Sequence, residues 1–399
     1  MDFERIISLS SRKVEKTEVG FERYLISDIE WNLPLVLLFG ARGAGKTTMF
    51  LQHLKANYGS SGKALYANLD DFFFEENRLV LFAEAFYKNG GEALYLDEVH
   101  RYPNWSRDLK MLYDNYPELK IYATGSSILD LTKGEADLSR RAVQYHIAGL
   151  SFREFLALKH NILLAPISLL DIVQNHEEIA REMVENFDPL PLFSQYLVHG
   201  YFPFFKESIQ QYPARVMQTI NLVLEHDMPA FENLDYQTVR NLRKLLYILA
   251  QSVPFTPNVA SLSSRMGTSR NTILKMFDLL HRAEMIDVLY TETKSLSWMT
   301  KPEKIYLGNP NLSFALSEAK PEKGQIRETF FLNQLSLKHL VSMPKFGDFF
   351  VNETYVFEIG GPSKTIEQIK GLPSSYLAID EMKVGSGKRI PLWLFGMMY

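Results

Sequence analysis

Gly40, Ala41, Arg42, Gly43, Ala44, Gly45, Lys46, Thr47 and Thr48 fit the phosphate-binding pattern G-x-x-x-x-G-K-[ST]. Each part of the pattern has a chemical task. The glycines let backbone N–H groups converge on a β-phosphate, and a helix that starts there adds a favourable dipole. Lys46 would reach the β- and γ-phosphates, and the Thr47 hydroxyl would hold Mg²⁺. Farther along, Asp97 and Glu98 close an apolar run. Asp97 would support the metal through water, and Glu98 stands where a general base would polarise an attacking water. A third run, residues 120–127, ends in small hydroxyl residues, of which Thr124 or Ser126 would contact the γ-phosphate or that water. The chemistry these residues imply is binding of ATP (or ADP) with Mg²⁺.

Such groups work only on the right elements. Residues 35–39 form an apolar run of strand length ahead of the glycines, and Met49, Phe50 and Leu54 supply one face of a helix after them. Asn89, Gly90 and Gly91 signal a turn before the strand of residues 93–96. Residues 63–68 supply a strand between the glycine loop and Asp97. Strands and helices alternate to about residue 160, which argues for a parallel sheet covered on both faces. Residues 1–34 read as an amphipathic lead-in helix and connector, with Phe3, Ile6 and Ile7, then Tyr24, Leu25 and Ile29.

The order of residues 40–48, Leu94 to His100, Trp105, residues 123–127, Arg140 with Arg141, and residues 150–155 resembles the prokaryotic AAA-type ATPases. More narrowly, it is similar to the branch whose ATPase domain is followed by a winged helix and a nuclease-like domain of unknown function. The resemblance makes Arg140 or Arg141 a γ-phosphate sensor or arginine finger, a role that often needs a neighbouring subunit. It also implies a helical lid over the nucleotide domain, with Gly200 to Pro203 as its recurrent turn.

With 46% hydrophobic and 23% charged residues among 399, the chain has the composition of a multidomain globular protein. No apolar stretch reaches membrane-spanning length, and the first residues lack the layout of a signal peptide. No cysteine is present, which excludes disulfides, thiolate metal sites and thiol nucleophiles. A net charge of −4 argues against a general polyanion binder. These features fit a soluble, cytoplasmic protein. The nine histidines show no metal-ligand spacing and read as structural or exposed.

Residues 167–184 carry helical periodicity, residues 188–192 with their two prolines break it, and residues 193–198 resume it. Residues 242–249, 258–266 and 269–280 read as three helices, with Ser269 as an N-cap, and residues 286–290 and 304–307 as paired strands around a polar turn. Three helices and a two-stranded wing make a winged helix-turn-helix, whose third helix would turn Arg270, Asn271 and Lys275 toward DNA. Such modules also dock proteins, and the sequence leaves both open. In the last segment Glu328, Asp348 and Glu358 match the carboxylates of nuclease-like folds. The lysine expected two residues after Glu358 is replaced by Gly360, with Lys364 and Lys370 nearby.

The expected fold is therefore α/β: a P-loop NTPase parallel-sheet core with a helical lid, a winged helix and a small α+β, restriction-endonuclease-like C-terminal domain. The expected boundaries are 1–160 (ATPase), 161–238 (lid), 239–318 (winged helix) and 319–399 (degenerate nuclease-like domain). The expected function is slow Mg-dependent ATP hydrolysis that couples nucleotide state to contacts with DNA, a protein partner or further copies of the chain, with no membrane. The alternatives are a nucleotide-gated switch with negligible turnover and a DNA-directed nuclease.

Overall fold

In a computed structural model of the protein, residues 2–127, 138, 140–232, 234–251, 254–291, 301–317 and 320–399 are described. The chain divides into two compact units, Met1–Gly149 with Ala230–Asn233, and Leu150–Pro229 with Leu234–Tyr399.

The first unit begins with α1 (Asp2–Lys16) and continues through β1 (Leu35–Gly40), α2 (Lys46–Tyr58), β2 (Ala64–Asn68) and the single turn α3 (Phe73–Glu76). It goes on through α4 (Leu79–Lys88), β3 (Ala93–Asp97), α5 (Trp105–Asn115), β4 (Lys120–Thr124) and β5 (Val143–Ile147). The five strands form one sheet in the order β2-β3-β4-β1-β5, and every pairing is parallel. Strands covered on both faces read as continuous apolar runs, which is why β1 and β3 are buried at every position. Their alternation still sorts the two faces. Leu35, Leu37, Leu94 and Leu96 join a core with Ile6 of α1, Phe82 and Phe86 of α4 and Leu112 of α5. On the opposite face Tyr95 packs edge-on against Phe50 of α2 and takes a 2.7 Å hydrogen bond with His53. Trp31 stacks on that imidazole, with ring centroids 3.6 Å apart. Burial, helped by the Lys120 charge, pulls His53 down to about 4, so it stays neutral in this aromatic layer.

The second unit opens with α6 (Phe152–His160), started by a capping box in which Ser151 accepts from the Glu154 N–H and Glu154 accepts from the Ser151 N–H. Next come α7 (Leu169–Asn186), α8 (Pro189–His199), α9 (Tyr212–Leu222) and the short α10 (Met228–Glu232), which runs across the division between the units. The break expected over residues 188–192 is shorter than that, because residues 189–192 already belong to α8. Asp188 caps α8 and Pro189 takes its first position, where a missing N–H costs nothing and the fixed φ suits a helix. Only Phe187 and Asp188 separate the two helices.

Three helices follow, α11 (Tyr236–Ala250), α12 (Val259–Met266) and α13 (Arg270–Arg282), then the antiparallel pair β6 (Ile286–Leu289) and β7 (Lys304–Leu307). Gly267 ends α12 in the left-handed conformation, and the Ser269 hydroxyl caps α13 by accepting from Thr272 N–H. The expected polar turn between β6 and β7 falls largely in residues 292–300, outside the described residues. After α14 (Pro310–Leu316) and α15 (Lys323–Ser336) comes a second sheet in the order β12-β11-β10-β9-β8. Its strands are β8 (Val341–Ser342), β9 (Phe349–Val351), β10 (Tyr355–Gly360), β11 (Ser375–Ile379) and β12 (Arg389–Pro391). The last three are parallel, and β8 and β9 pair antiparallel. Between β10 and β11 the chain makes a 3₁₀ turn, Glu367–Ile369. Among the described residues, no helix is long and apolar enough to cross a membrane.

Candidate functional site

The glycine loop lies between the end of β1 and the start of α2. At its first residue, Gly40, a Cβ would stand 2.2 Å from the Ile147 carbonyl oxygen of β5, so close a strand-to-strand approach admits only glycine. Gly45 precedes α2 at φ +100°, where a side chain would be strained. The Lys46 ammonium donates to the carbonyls of Gly40 at 2.7 Å and Ala41 at 3.0 Å, and so lies over the loop itself. Arg23 straps the loop from outside, donating to the Ala44 carbonyl, to Ala148 O at 2.7 Å and to Gly149 O at 3.0 Å.

Strand order brings the second group of residues to the loop. Because β4 lies between β1 and β3, Thr124 at the end of β4 stands beside the end of β3. Its hydroxyl donates to Asp97 Oδ1 and accepts the Glu98 N–H at 3.1 Å. Thr47 donates to Asp97 Oδ2 at 2.7 Å, and so does the Tyr66 phenol, also at 2.7 Å. Glu98 sits at φ +56°, a left-handed conformation that costs energy in a residue with a Cβ and is over-represented at functional sites. His100 Nε2 lies 3.3 Å from Glu98 Oε2. A buried hydroxyl and a carboxylate side by side at the end of a strand are the oxygen donors that Mg²⁺ prefers. The residues at this site fit a magnesium–nucleotide complex.

The structure thus brings Lys46, Thr47, Asp97, Glu98 and Thr124 to one end of the sheet. Gly40, Ala41, Arg42, Gly43, Ala44, Gly45 and Thr48 lie in or just after the loop that opens toward them. Ser126 is buried close behind Thr124. Arg141 makes a two-pronged contact with Asp114 of α5, at 2.7 and 3.1 Å, and Arg140 is exposed. Sequence reasoning missed Tyr66, Lys13 and Arg23. Tyr66 stood only as one residue of the strand expected at 63–68, and nothing in its local pattern announced a carboxylate partner on the next strand.

The last sheet holds the second group of carboxylates. Glu328 of α15 accepts from the Tyr306 phenol at 2.9 Å, and burial together with the Asp348 charge pushes it up to about 7. Asp348 Oδ2 accepts the Ile359 N–H at 2.8 Å. Glu358 of β10 is buried, which raises its carboxyl, and it pairs with the Lys364 ammonium. A Cβ at Gly360 would stand 2.6 Å from the Lys364 stem, so Lys364 fills the space into which a side chain at 360 would point. Lys370 pairs instead with Glu367 at the surface. Among the described residues, no three His, Asp or Glu side chains form a group able to hold a metal ion.

Comparison with known proteins bears on the first of these two groups. Residues 32–156, which span the glycine loop, Asp97 and Glu98, match the model of the AAA domain. Residues 32–156 are an AAA domain. A domain of unknown function matches residues 190–323 and stops short of the C-terminal sheet. An uncharacterized protein of Methanocaldococcus jannaschii is 28% identical over 291 residues, 68% of this chain, and the match spans 60% of that relative's length. The Aeropyrum pernix ORC1 protein, solved in complex with DNA, aligns at 13% identity and TM-score 0.32, over 79% of this chain and 91% of that one. The AMPPCP-bound DnaA of Aquifex aeolicus aligns at 12% and 0.28, over 69% and 88%. The AAA domain covers all of the site built around Thr47 and Asp97 except Lys13 and Arg23, which precede it.

Proposed function

We propose that the AAA domain binds Mg-ATP, hydrolyses it slowly, and uses the change of nucleotide state to regulate contacts made by the rest of the chain in the cytoplasm. The observation that carries this reading is the Thr47–Asp97 contact at 2.7 Å beside a loop whose lysine lies on its own carbonyls. Bound Mg²⁺ would neutralise charge on the phosphate oxygens. Lys46 exchanges the Gly40 and Ala41 carbonyls for the phosphates, a stronger, charge-assisted pairing. Thr47 and Asp97 would hold the metal. Glu98 accepts a proton from the attacking water, and the Thr124 hydroxyl fixes the backbone from which Glu98 projects.

Slow turnover follows from the arginines. A finger that reaches the γ-phosphate is worth about 10³–10⁵ in rate. Arg141 is held by Asp114, while Arg140 is exposed and would be the finger offered to a neighbouring copy of the chain. The winged-helix arrangement of α11, α12, α13, β6 and β7 leaves Arg270, Asn271 and Lys275 exposed at the start of α13, the position from which such helices read DNA.

The test is steady-state hydrolysis by the wild type and Glu98→Gln, with and without duplex DNA. Glu98→Gln keeps size and polarity but removes the base, so turnover should fall by about 100-fold or more while ATP still binds. Equal turnover in both proteins would reduce the domain to a nucleotide-gated switch.

A further inference from the structure

Asp97 has a hydrogen-bond partner that does not belong to the loop. Tyr66 lies on β2, the edge strand, yet is only 3% exposed, and its phenol donates to Asp97 Oδ2 at 2.7 Å. Thr47 donates to the same oxygen at the same distance. The phenol oxygen in turn accepts from the Lys13 ammonium of α1 at 3.1 Å, and that ammonium lies 4.5 Å from the centre of the tyrosine ring. A phenol that accepts from a lysine, which has no acceptor of its own, keeps its single hydrogen for another partner. Asp97 takes it, so the direction of the chain is fixed: Lys13 to Tyr66 to Asp97.

The backbone is held as firmly. Tyr66 N–H, which faces the open edge of the sheet, donates to the Ser10 hydroxyl of α1 at 2.9 Å. Burial first, then the Asp97 charge and hydrogen bond, push the phenol far above the ordinary tyrosine range.

We propose that Tyr66 is a positioning residue for Asp97, with Lys13 setting its direction, and that this pair sets the affinity of the site for Mg²⁺. The inference rests on the reading of Asp97 as support for a nucleotide-bound metal. A carboxylate at a strand end has rotational freedom that must be lost before it can face a cation. Tyr66 and Thr124, on opposite oxygens, remove that freedom in advance. Outer partners of metal-supporting groups are typically worth about 10–100-fold in metal affinity or activity.

The experiment is a Mg²⁺ titration of binding by the full chain to a fluorescent ATP analogue, in wild type, Tyr66→Phe and Lys13→Met, with melting curves alongside. Tyr66→Phe removes one hydroxyl and keeps the ring. It should need about tenfold more Mg²⁺ to reach half of the metal-dependent tightening, with affinity in EDTA unchanged. Lys13→Met, at an exposed position, should shift the midpoint in the same direction by less, and it remains readable if Tyr66→Phe melts early. A lowered melting temperature with an unchanged Mg²⁺ midpoint would assign Tyr66 to packing alone and overturn the proposal. A wild type whose binding ignores Mg²⁺ would instead remove the metal–nucleotide reading, and this inference with it.

Discussion

Thr47 and Asp97, separated by fifty residues of chain, meet at 2.7 Å because α2 and β3 deliver them to the same end of a parallel sheet. In an α/β sheet the carboxyl ends of the strands are where loops gather and ligands bind. Both residues obey that rule. The hydroxyl begins the helix after β1, and the carboxylate ends β3. Their contact ties the start of the helix after the glycine loop to the carboxylate at the end of β3.

The first prediction concerns pH and the C-terminal sheet. Glu328 is pushed up to about 7, by burial first and then by Asp348, so the folded state holds a proton that the unfolded state has already released near pH 5. Stability therefore falls as pH rises through the window from about 4.5 to 7, the reverse of a salt-bridged carboxylate. Glu328→Gln keeps an acceptor for Tyr306 and removes the charge. It should leave stability unchanged near pH 4 and raise it by about 3 kcal/mol near pH 8, since each pKa unit is worth about 1.4 kcal/mol. Denaturant melts at the two pH values check this; equal gains at both would show that the charge of Glu328 is not the cause.

The second prediction concerns nuclease chemistry. Cleavage assisted by a metal needs carboxylates that converge on the cation and a lysine turned to the phosphate. Here Lys364 fills the space beside Gly360, but its ammonium is spent on Glu358, while Asp348 is engaged by the Ile359 N–H. Supercoiled plasmid incubated with Mg²⁺ or Mn²⁺ should therefore remain intact, with or without ATP. Nicking that disappears in Asp348→Ala or Glu358→Ala would reverse this reading and make Lys364 the stabilising lysine.

What the sequence could reveal depended on how local the signal was. The glycine loop leading into a helix, the Ser269 cap and the Gly267 stop are each written within a few consecutive residues, and the structure has them in place. The two prolines at 189 and 191 were also visible, but their meaning depended on whether a cap stood in front of them. Asp188 supplies that cap, and it turns a break into a helix start. The network around Asp97 was the hardest to read. Lys13, Tyr66 and Asp97 lie on a helix, an edge strand and a central strand, and only the β2–β3 register and the packing of α1 bring them together. Lys364 and Lys370 both stood near Gly360 in sequence, but which of them meets Glu358 depends on the chain turning back after β10.

The central claim is that residues 40–48 hold the phosphates of a nucleotide, and calorimetric titration of ATP with Mg²⁺ into wild type and Lys46→Ala tests it most directly. Lys46 supplies the loop's ammonium, lying on the Gly40 and Ala41 carbonyls, and a charge-assisted contact is worth about 1.5–3 kcal/mol. Lys46→Ala should therefore weaken ATP binding by about 10–100-fold while its melting temperature without nucleotide stays close to that of the wild type. An unchanged dissociation constant in Lys46→Ala, or no heat of binding in the wild type, would contradict the account.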